Sequence, residues 1–391
     1  MPDATSAYGV FATRYGSVYN TLPTPDGGEE TVPEGIAHYL EHKLFESEEG
    51  DAFARFADTG ASANAYTSFE RTAYLFQATE NILPSLEILL DFVQHPYFTE
   101  ETVQKEQGII GQEIRMCEDS PDRRVLFNLL QGMYHIHPVR VDIAGTVESI
   151  SHITPELLYR CYNRYYNLGN MVLAGAGHVT PEEVWDAAQR LLKPAAPLPP
   201  ATFHCDEPTT VAKALVEDTM PVAAPLFYLG YKEPQTRSNA AELAGARIIV
   251  ELLAGKSSDL YNTLMEEELI NDTFGAEYFS GPGFGVWLFG GESAAPEKVQ
   301  AALHRQLRTF QQEGVDPALF ESTRRGVYGR LVGSLDDPTT CGELALGNLL
   351  EGVGPLDELD ALAALTAADI QEQLYRRLSA DNSTLSNVRP Q

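Results

Sequence analysis

Along the first half of the chain, short runs of crowded apolar residues alternate with longer stretches in which apolar residues recur every three or four positions. "YGVFATRYGSV", "RTAYLFQATE" and "NMVLAGAG" read as strands. "EGIAHYLEHKLFE", "NILPSLEILLDFVQ", "EETVQKEQGIIGQEIRMCED", "TPELLYRCYNRYY" and "TPEEVWDAAQRLL" read as amphipathic helices. The second half has a similar order. Strand "PLFYLGYKE" and helix "NAAELAGARIIVELLAG" precede strands "TFGAEYFS" and "GFGVWLFGGE". Helix "APEKVQAALHRQLRTFQQEG", further helices over 316–378 and the strand-like "NSTLSNV" complete it. Few strands separated by long amphipathic helices predict an α+β fold of two similar domains, each a mainly antiparallel sheet packed with helices. Between the halves lies "LLKPAAPLPPATFHCDEP", whose prolines cannot continue a helix and favour an extended linker. The expected division is a first domain over 1–192, a proline-rich linker over 193–207 and a second domain over 208–391.

The length of 391 residues agrees with two cores, and 43 % hydrophobic content with a globular chain. No apolar run is long enough to span a bilayer, and "MPDATSAYGV" lacks a basic region followed by an apolar stretch. Cys117, Cys161, Cys205 and Cys341 form no Cys-x-x-Cys pair, as expected of free thiols in a reducing cytoplasm. A formal net charge of −29 argues against nucleic-acid binding. Such a field either attracts basic peptides or simply keeps a cytoplasmic protein dissolved.

One stretch changes the picture. In "HYLEH", His38 and His42 lie one helical turn apart on one face, with Glu41 adjacent to that face. Thr31-Val32-Pro33-Glu34 predicts the helix start, with Pro33 in the first turn. Two imidazoles and a carboxylate suit zinc with an open position for water, which Glu41 can reach as general base. Two histidines satisfied in a core would share the same spacing, so the decision rests on a third ligand. In "VQKEQGIIGQEIRMCED", Glu106 and Glu113 are two turns apart, beside an apolar stripe of Ile109, Ile110 and Ile114. Glu113 is the expected third ligand, and Glu106 a carboxylate that orients a histidine or the water.

The sequence resembles the pitrilysin or insulinase family, the inverzincins with His-x-x-Glu-His. "GIAHYLEHKLFE", "GASANAYTSFERTAYLF", "EQGIIGQEI", "HPVRVDIAGTVESISHIT" and "GNMVLAGAGHVTPEEV" follow the family's order across the first half. "LEHKLFE" looks like a half-size bacterial subgroup resembling mitochondrial processing peptidase subunits. His38, Glu41, His42 and Glu113 fall on the family's ligand and base positions, and Glu106 on its assisting carboxylate. The resemblance implies one zinc ion per chain, a metal-free second domain, and two chains paired into a chamber. It also implies that Asn64, Ala65 and Tyr66 line the strand to which a peptide substrate adds.

The second half matches more weakly. Met265 and Asp272 stand where the family carries an arginine and a tyrosine that hold the substrate carbonyl and the developing oxyanion. The family usually has an additional strand before "YGVFATRYGSV". The expected function is a cytoplasmic zinc endopeptidase acting on peptides or unfolded segments, with neither nucleic-acid nor membrane partners. The alternative is a zinc-bearing, weakly active subunit that needs a related partner lacking the zinc motif but supplying the arginine and tyrosine. Either a homodimer or such a heterodimer is compatible with the sequence. His135 and His137 beside Pro138 read as a loop rather than a metal site.

Overall fold

The structure, a computed structural model, describes residues 3–24, 26–48, 50–194, 198–199, 201–233 and 239–391. They form two compact units. The first comprises Met1–Arg115, Asp142–Phe203 and Ser334–Pro355; the second comprises Met116–Val141, His204–Gly333 and Leu356–Gln391. Each is an antiparallel-dominated sheet with helices packed on it, the α+β arrangement expected from the alternation of elements.

In the first unit, β1 (Ala7–Thr13), β2 (Ser62–Thr67), β3 (Thr72–Ala78) and β4 (Met171–Gly177) pair in the order β2-β3-β1-β4, all antiparallel. Phe11 lies opposite both Tyr74 and Leu173. Successive side chains alternate between faces. Tyr8, Val10, Ala12, Ala73 and Ala174 therefore gather on one face, where they form a core with Leu346. Leu346 belongs to a helix, Pro338–Leu350, from the far end of the sequence. On the opposite face, Tyr74 and Phe76 meet the aromatic side chains of Phe45, Phe56 and Phe92. That face carries helix α1 (Ile36–Leu44) and helix α2 (Ile82–Phe92). Helix α3 (Glu100–Glu118) follows in the same unit as far as Arg115.

In the second unit, β5 (Leu215–Met220), β6 (Leu226–Lys232), β7 (Gly275–Gly281), β8 (Phe284–Glu292) and β9 (Ser383–Pro390) pair in the order β7-β8-β6-β9-β5. Four of these repeat the strand order of the first unit, and β5 adds a parallel strand beside β9. Helix α4 (Pro121–Met133), not among the elements expected from the sequence, packs on β9 and β6. Its Val125 shares a core with Met220 and Val388.

The units thus do not coincide with the stretches 1–192 and 208–391. Helix α4 comes from the first half but serves the second sheet. Helix α5 (Ala240–Ala254) and helix α6 (Asp259–Glu266) stay with the second unit, whereas helix α7 (Pro338–Leu350) serves the first. An apolar stripe on a helix states that a sheet must cover it, not which sheet. Of the expected linker, residues 195–197 and 200 lie outside the described residues. Among the described residues, no helix is long and apolar enough to cross a membrane.

Candidate metal centre

Helix α1 carries the two histidines. It starts at Ile36, later than the Pro33 start expected, because Gly35 takes the left-handed conformation with φ of 87°. A Cβ on Gly35 would lie 2.3 Å from the Ala144 carbonyl oxygen, so only glycine fits this entry. Tyr39 and Leu40, fully buried, seat the helix on the core and leave His38 and His42 on the opposite side. The Tyr39 hydroxyl donates to the Val103 carbonyl and ties α1 to α3.

The three expected ligands converge. His38 Nε2 lies 3.6 Å from Glu113 Oε1, and His42 Nε2 lies 3.5 Å from Glu113 Oε2. The two rings are 4.6 Å apart between centroids and inclined at 67°. These separations are too long for hydrogen bonds. They match co-ligands of one ion: zinc with bonds of about 2.0–2.1 Å places its tetrahedral ligand atoms about 3.3 Å apart. The donor set of two imidazole nitrogens and a carboxylate oxygen therefore fits zinc.

Glu106 faces the other nitrogen of His42, with Oε1 3.0 Å from Nδ1. A proton on Nδ1 donated to this carboxylate leaves the Nε2 lone pair directed at Glu113 and the ion position. The hydrogen bond from His42 holds the Glu106 carboxyl below its ordinary value, against burial and with help from the charges of His42, Lys43 and Lys105. His42 itself is raised. Burial opposes its charge, but the Glu106 hydrogen bond and the Glu41, Glu106 and Glu113 carboxylates outweigh it. Three carboxylates around two imidazoles form a site short of positive charge.

Glu41 is 9 % exposed. Burial pushes its carboxyl up to about 7, while His42 and a hydrogen bond from Thr67 pull it down and Glu113 adds to the rise. Thr67 Oγ1 donates to Glu41 Oε2 at 3.2 Å. One ligand-capable atom from each of His38, Glu41 and His42 lies within 4.8 Å of the others, so Glu41 stands within reach of the same centre.

Two details of α3 differ from expectation. Ile109 is 48 % exposed, and the buried stripe consists of Val103, Ile110 and Ile114. The Glu113 side chain is 41 % exposed, so it reaches the histidines across the open side of the site rather than from within a core. A stripe drawn from consecutive isoleucines was one position too wide, because Ile109 sits about 100° round the helix from Ile110.

The residues Asn64, Ala65 and Tyr66 lie on β2, the edge of its sheet. The amide of Ser68 donates to the Arg71 carbonyl, which fixes the ladder. Ser62, Asn64 and Tyr66 then bond to β3, and Ala63, Ala65 and Thr67 turn their backbone groups to the open edge. The outward amide of Ala65 donates to the side chain of Asn64. The side chain of Tyr66 points away from the metal-helix face. Thr67 was not singled out from the sequence. The period of two from Ala65 would have placed it on the metal-helix face. Also unforeseen was Lys43, completely buried on α1 and paired with Glu46.

Elsewhere, His137 is structural in geometry: Nδ1 accepts from the Val139 amide and Nε2 faces the Pro282 carbonyl at 2.9 Å. Met265 is half-buried on α6, and Asp272 is exposed in the turn before β7.

Taken with the fold, the site is a His-x-x-Glu-His helix faced by Glu113, set on one of two similar α+β sheets. The model described as insulinase (peptidase family M16) matches residues 28–147, and that of the peptidase M16 inactive domain matches residues 152–327. A Bacillus subtilis protein named as an uncharacterized zinc protease is 39 % identical, covering 98 % of this chain and 91 % of its own. The structure of an M16-like peptidase from Alicyclobacillus acidocaldarius superposes with a TM-score of 0.94 at 38 % identity, covering 100 % of this chain and 94 % of that one. A probable mitochondrial-processing peptidase subunit beta of Arabidopsis thaliana is 28 % identical over 50 % of this chain and 39 % of its own length. The chain belongs to the insulinase family, peptidase family M16.

Proposed function

We propose that the protein is a zinc endopeptidase in which His38, His42 and Glu113 hold the ion and Glu41 is the general base. The observation that carries this reading is the approach of Glu113 to both Nε2 atoms at 3.5–3.6 Å, with Glu41 buried alongside. Bound zinc supplies a Lewis acid that polarises a peptide carbonyl and acidifies a water. The chain's own residues do the rest. Glu106 keeps the proton of His42 on Nδ1 and the ring in its ligating orientation. Glu41 takes the proton of the attacking water at Oε1 or Oε2, and Thr67 holds that carboxylate in place. The open edge of β2 receives the substrate as an added strand through the backbone groups of Ala63, Ala65 and Thr67. Asn64 must then release the Ala65 amide.

The test is metal analysis combined with peptide hydrolysis. The wild-type protein should hold about one zinc per chain. Glu41→Gln should keep the zinc and abolish cleavage of a quenched fluorescent peptide library. Hydrolysis at the parent rate by that variant removes Glu41 as base.

A second reading is favoured by Met265 and Asp272. Neither side chain supplies the donor that would hold a developing oxyanion. On this reading the chain is weakly active alone and completes its site with a related chain, in keeping with a relative named as a subunit. Where two copies of this chain pair, Met265→Arg with Asp272→Tyr should then raise turnover, and strong cleavage by the wild-type chain alone speaks against this reading.

A further inference from the structure

The edge strand that faces Glu41 is held from behind by a residue more than 270 positions away. Glu343 lies on α7, on the face of the first sheet opposite the metal helix. Its two carboxylate oxygens are used separately. Oε1 accepts from the hydroxyl of Tyr8 on β1, and Oε2 accepts from the hydroxyl of Tyr66 on β2 at 2.7 Å. These strands are not neighbours, for β3 runs between them. Glu343 therefore spans β3 and ties the edge strand to the central strand. Arg71 reinforces the tie: its Nε donates to the Tyr66 hydroxyl at 3.2 Å, and its guanidinium lies 5.8 Å from the ring centroid. Glu343 can make this reach because α7 approaches closely at Gly342, where a Cβ would meet the Tyr8 ring at 2.3 Å.

On the front of β2, the residues facing α1 are small: Ala63, Ala65 and Thr67. Thr67 bonds to the catalytic helix, through Glu41. The strand packs on that side against α1 and the helix Ala52–Thr59, but through small side chains that do not lock it in place. The bond behind it then adds to the ladder with β3 in setting its distance from Glu41.

We infer that Glu343 is a positioning residue, which fixes β2 opposite Glu41 through Tyr66 and so sets how well a peptide strand docks. This rests on the peptidase reading above. Strand addition occurs in the ground state, so loss of the strut acts on binding more than on the chemical step.

The experiment compares Glu343→Ala, Tyr66→Phe and the double variant by zinc content, KM and kcat on a fluorescent peptide, and amide exchange of Asn64 and Tyr66. Glu343→Ala should keep about one zinc, raise KM about fivefold and change kcat less than twofold. The two amides should exchange about tenfold faster. In the Tyr66→Phe background, Glu343→Ala should add nothing to KM. Tyr8→Phe, which leaves the Tyr66 bond in place, should lower thermal stability with a smaller effect on KM. A Glu343→Ala variant with lower thermal stability but unchanged KM and exchange overturns the inference, as do additive effects in the double variant. If the zinc-loaded wild type cleaves nothing, the peptidase reading fails. Amide exchange then still decides whether Glu343 holds the strand.

Discussion

Removing the charge of Glu106 should weaken zinc binding without removing a ligand. Glu106 Oε1 lies 3.0 Å from His42 Nδ1, and its side chain is 15 % exposed. A hydrogen bond to a charged group contributes about 1.5–3 kcal/mol and a neutral one about 0.5–1.5 kcal/mol. Glu106→Gln keeps the shape and an acceptor oxygen but loses the charge. Partial exposure of His42, at 25 %, places the difference toward the lower end of the range. A loss of about 1.4 kcal/mol raises the zinc Kd about tenfold. Glu106→Ala removes the acceptor altogether and should raise it up to about a hundredfold. Competition against a chromophoric chelator at fixed pH measures both, with circular dichroism as a check on folding. If Glu106→Gln binds zinc within twofold of wild type, Glu106 does not orient His42. If it loses zinc as completely as His42→Ala, Glu106 is itself a ligand and the assignment of Glu113 is wrong.

Glu113→Ala should lose zinc on dialysis; retention of a full equivalent would move the third ligand to Glu41. Gly35→Ala should destabilise the first unit by more than about 2 kcal/mol in urea, because the left-handed backbone and the Ala144 carbonyl both oppose a side chain. Burial pushes His137 down to about 4 from 6.5, against the hydrogen bond to the Pro282 carbonyl and the charge of Glu207. With a depressed folded value, its contribution is fully present above pH 6.5 and is lost as pH falls towards 4, of the order of 3 kcal/mol. His137→Phe should flatten this part of the acid unfolding curve, and an unchanged slope would exclude the assignment.

The helix that carries His38, Glu41 and His42 was legible because its side-chain spacing is local. A four-residue spacing places His38 and His42 together in any helix, and a seven-residue spacing does the same for Glu106 and Glu113. The pairing of the two helices was not local. It involves Tyr39 reaching the Val103 carbonyl, which has no periodic signature. Asn64, Ala65 and Tyr66 fall together on the strand Ser62–Thr67, but the sequence does not tell which way Tyr66 faces. That follows only once Glu343 is brought in from α7. The helix Pro121–Met133 escaped notice among "SPDRRVLFNLLQGMYH", where two arginines and an asparagine interrupt the apolar stripe. Its partners Met220 and Val388 lie far along the chain, so no window of sequence contains the surface it covers.

The traded helices impose a timetable on synthesis. When Gly177 leaves the ribosome, all four strands of the first sheet exist, yet the face bearing Tyr8, Val10 and Ala174 has no cover. Leu346 is still roughly 170 residues from being made, a wait of about 10–30 s at ordinary elongation rates. During that interval an apolar sheet face stands open beside the nascent chain, where a chaperone or a second copy can find it. Scission at the proline-rich segment would leave the same defect permanently. Each fragment would keep a helix that belongs to the other and lack the one that closes its own sheet. Expressed separately, the halves should be insoluble or bind chaperones, and together they should recover one another.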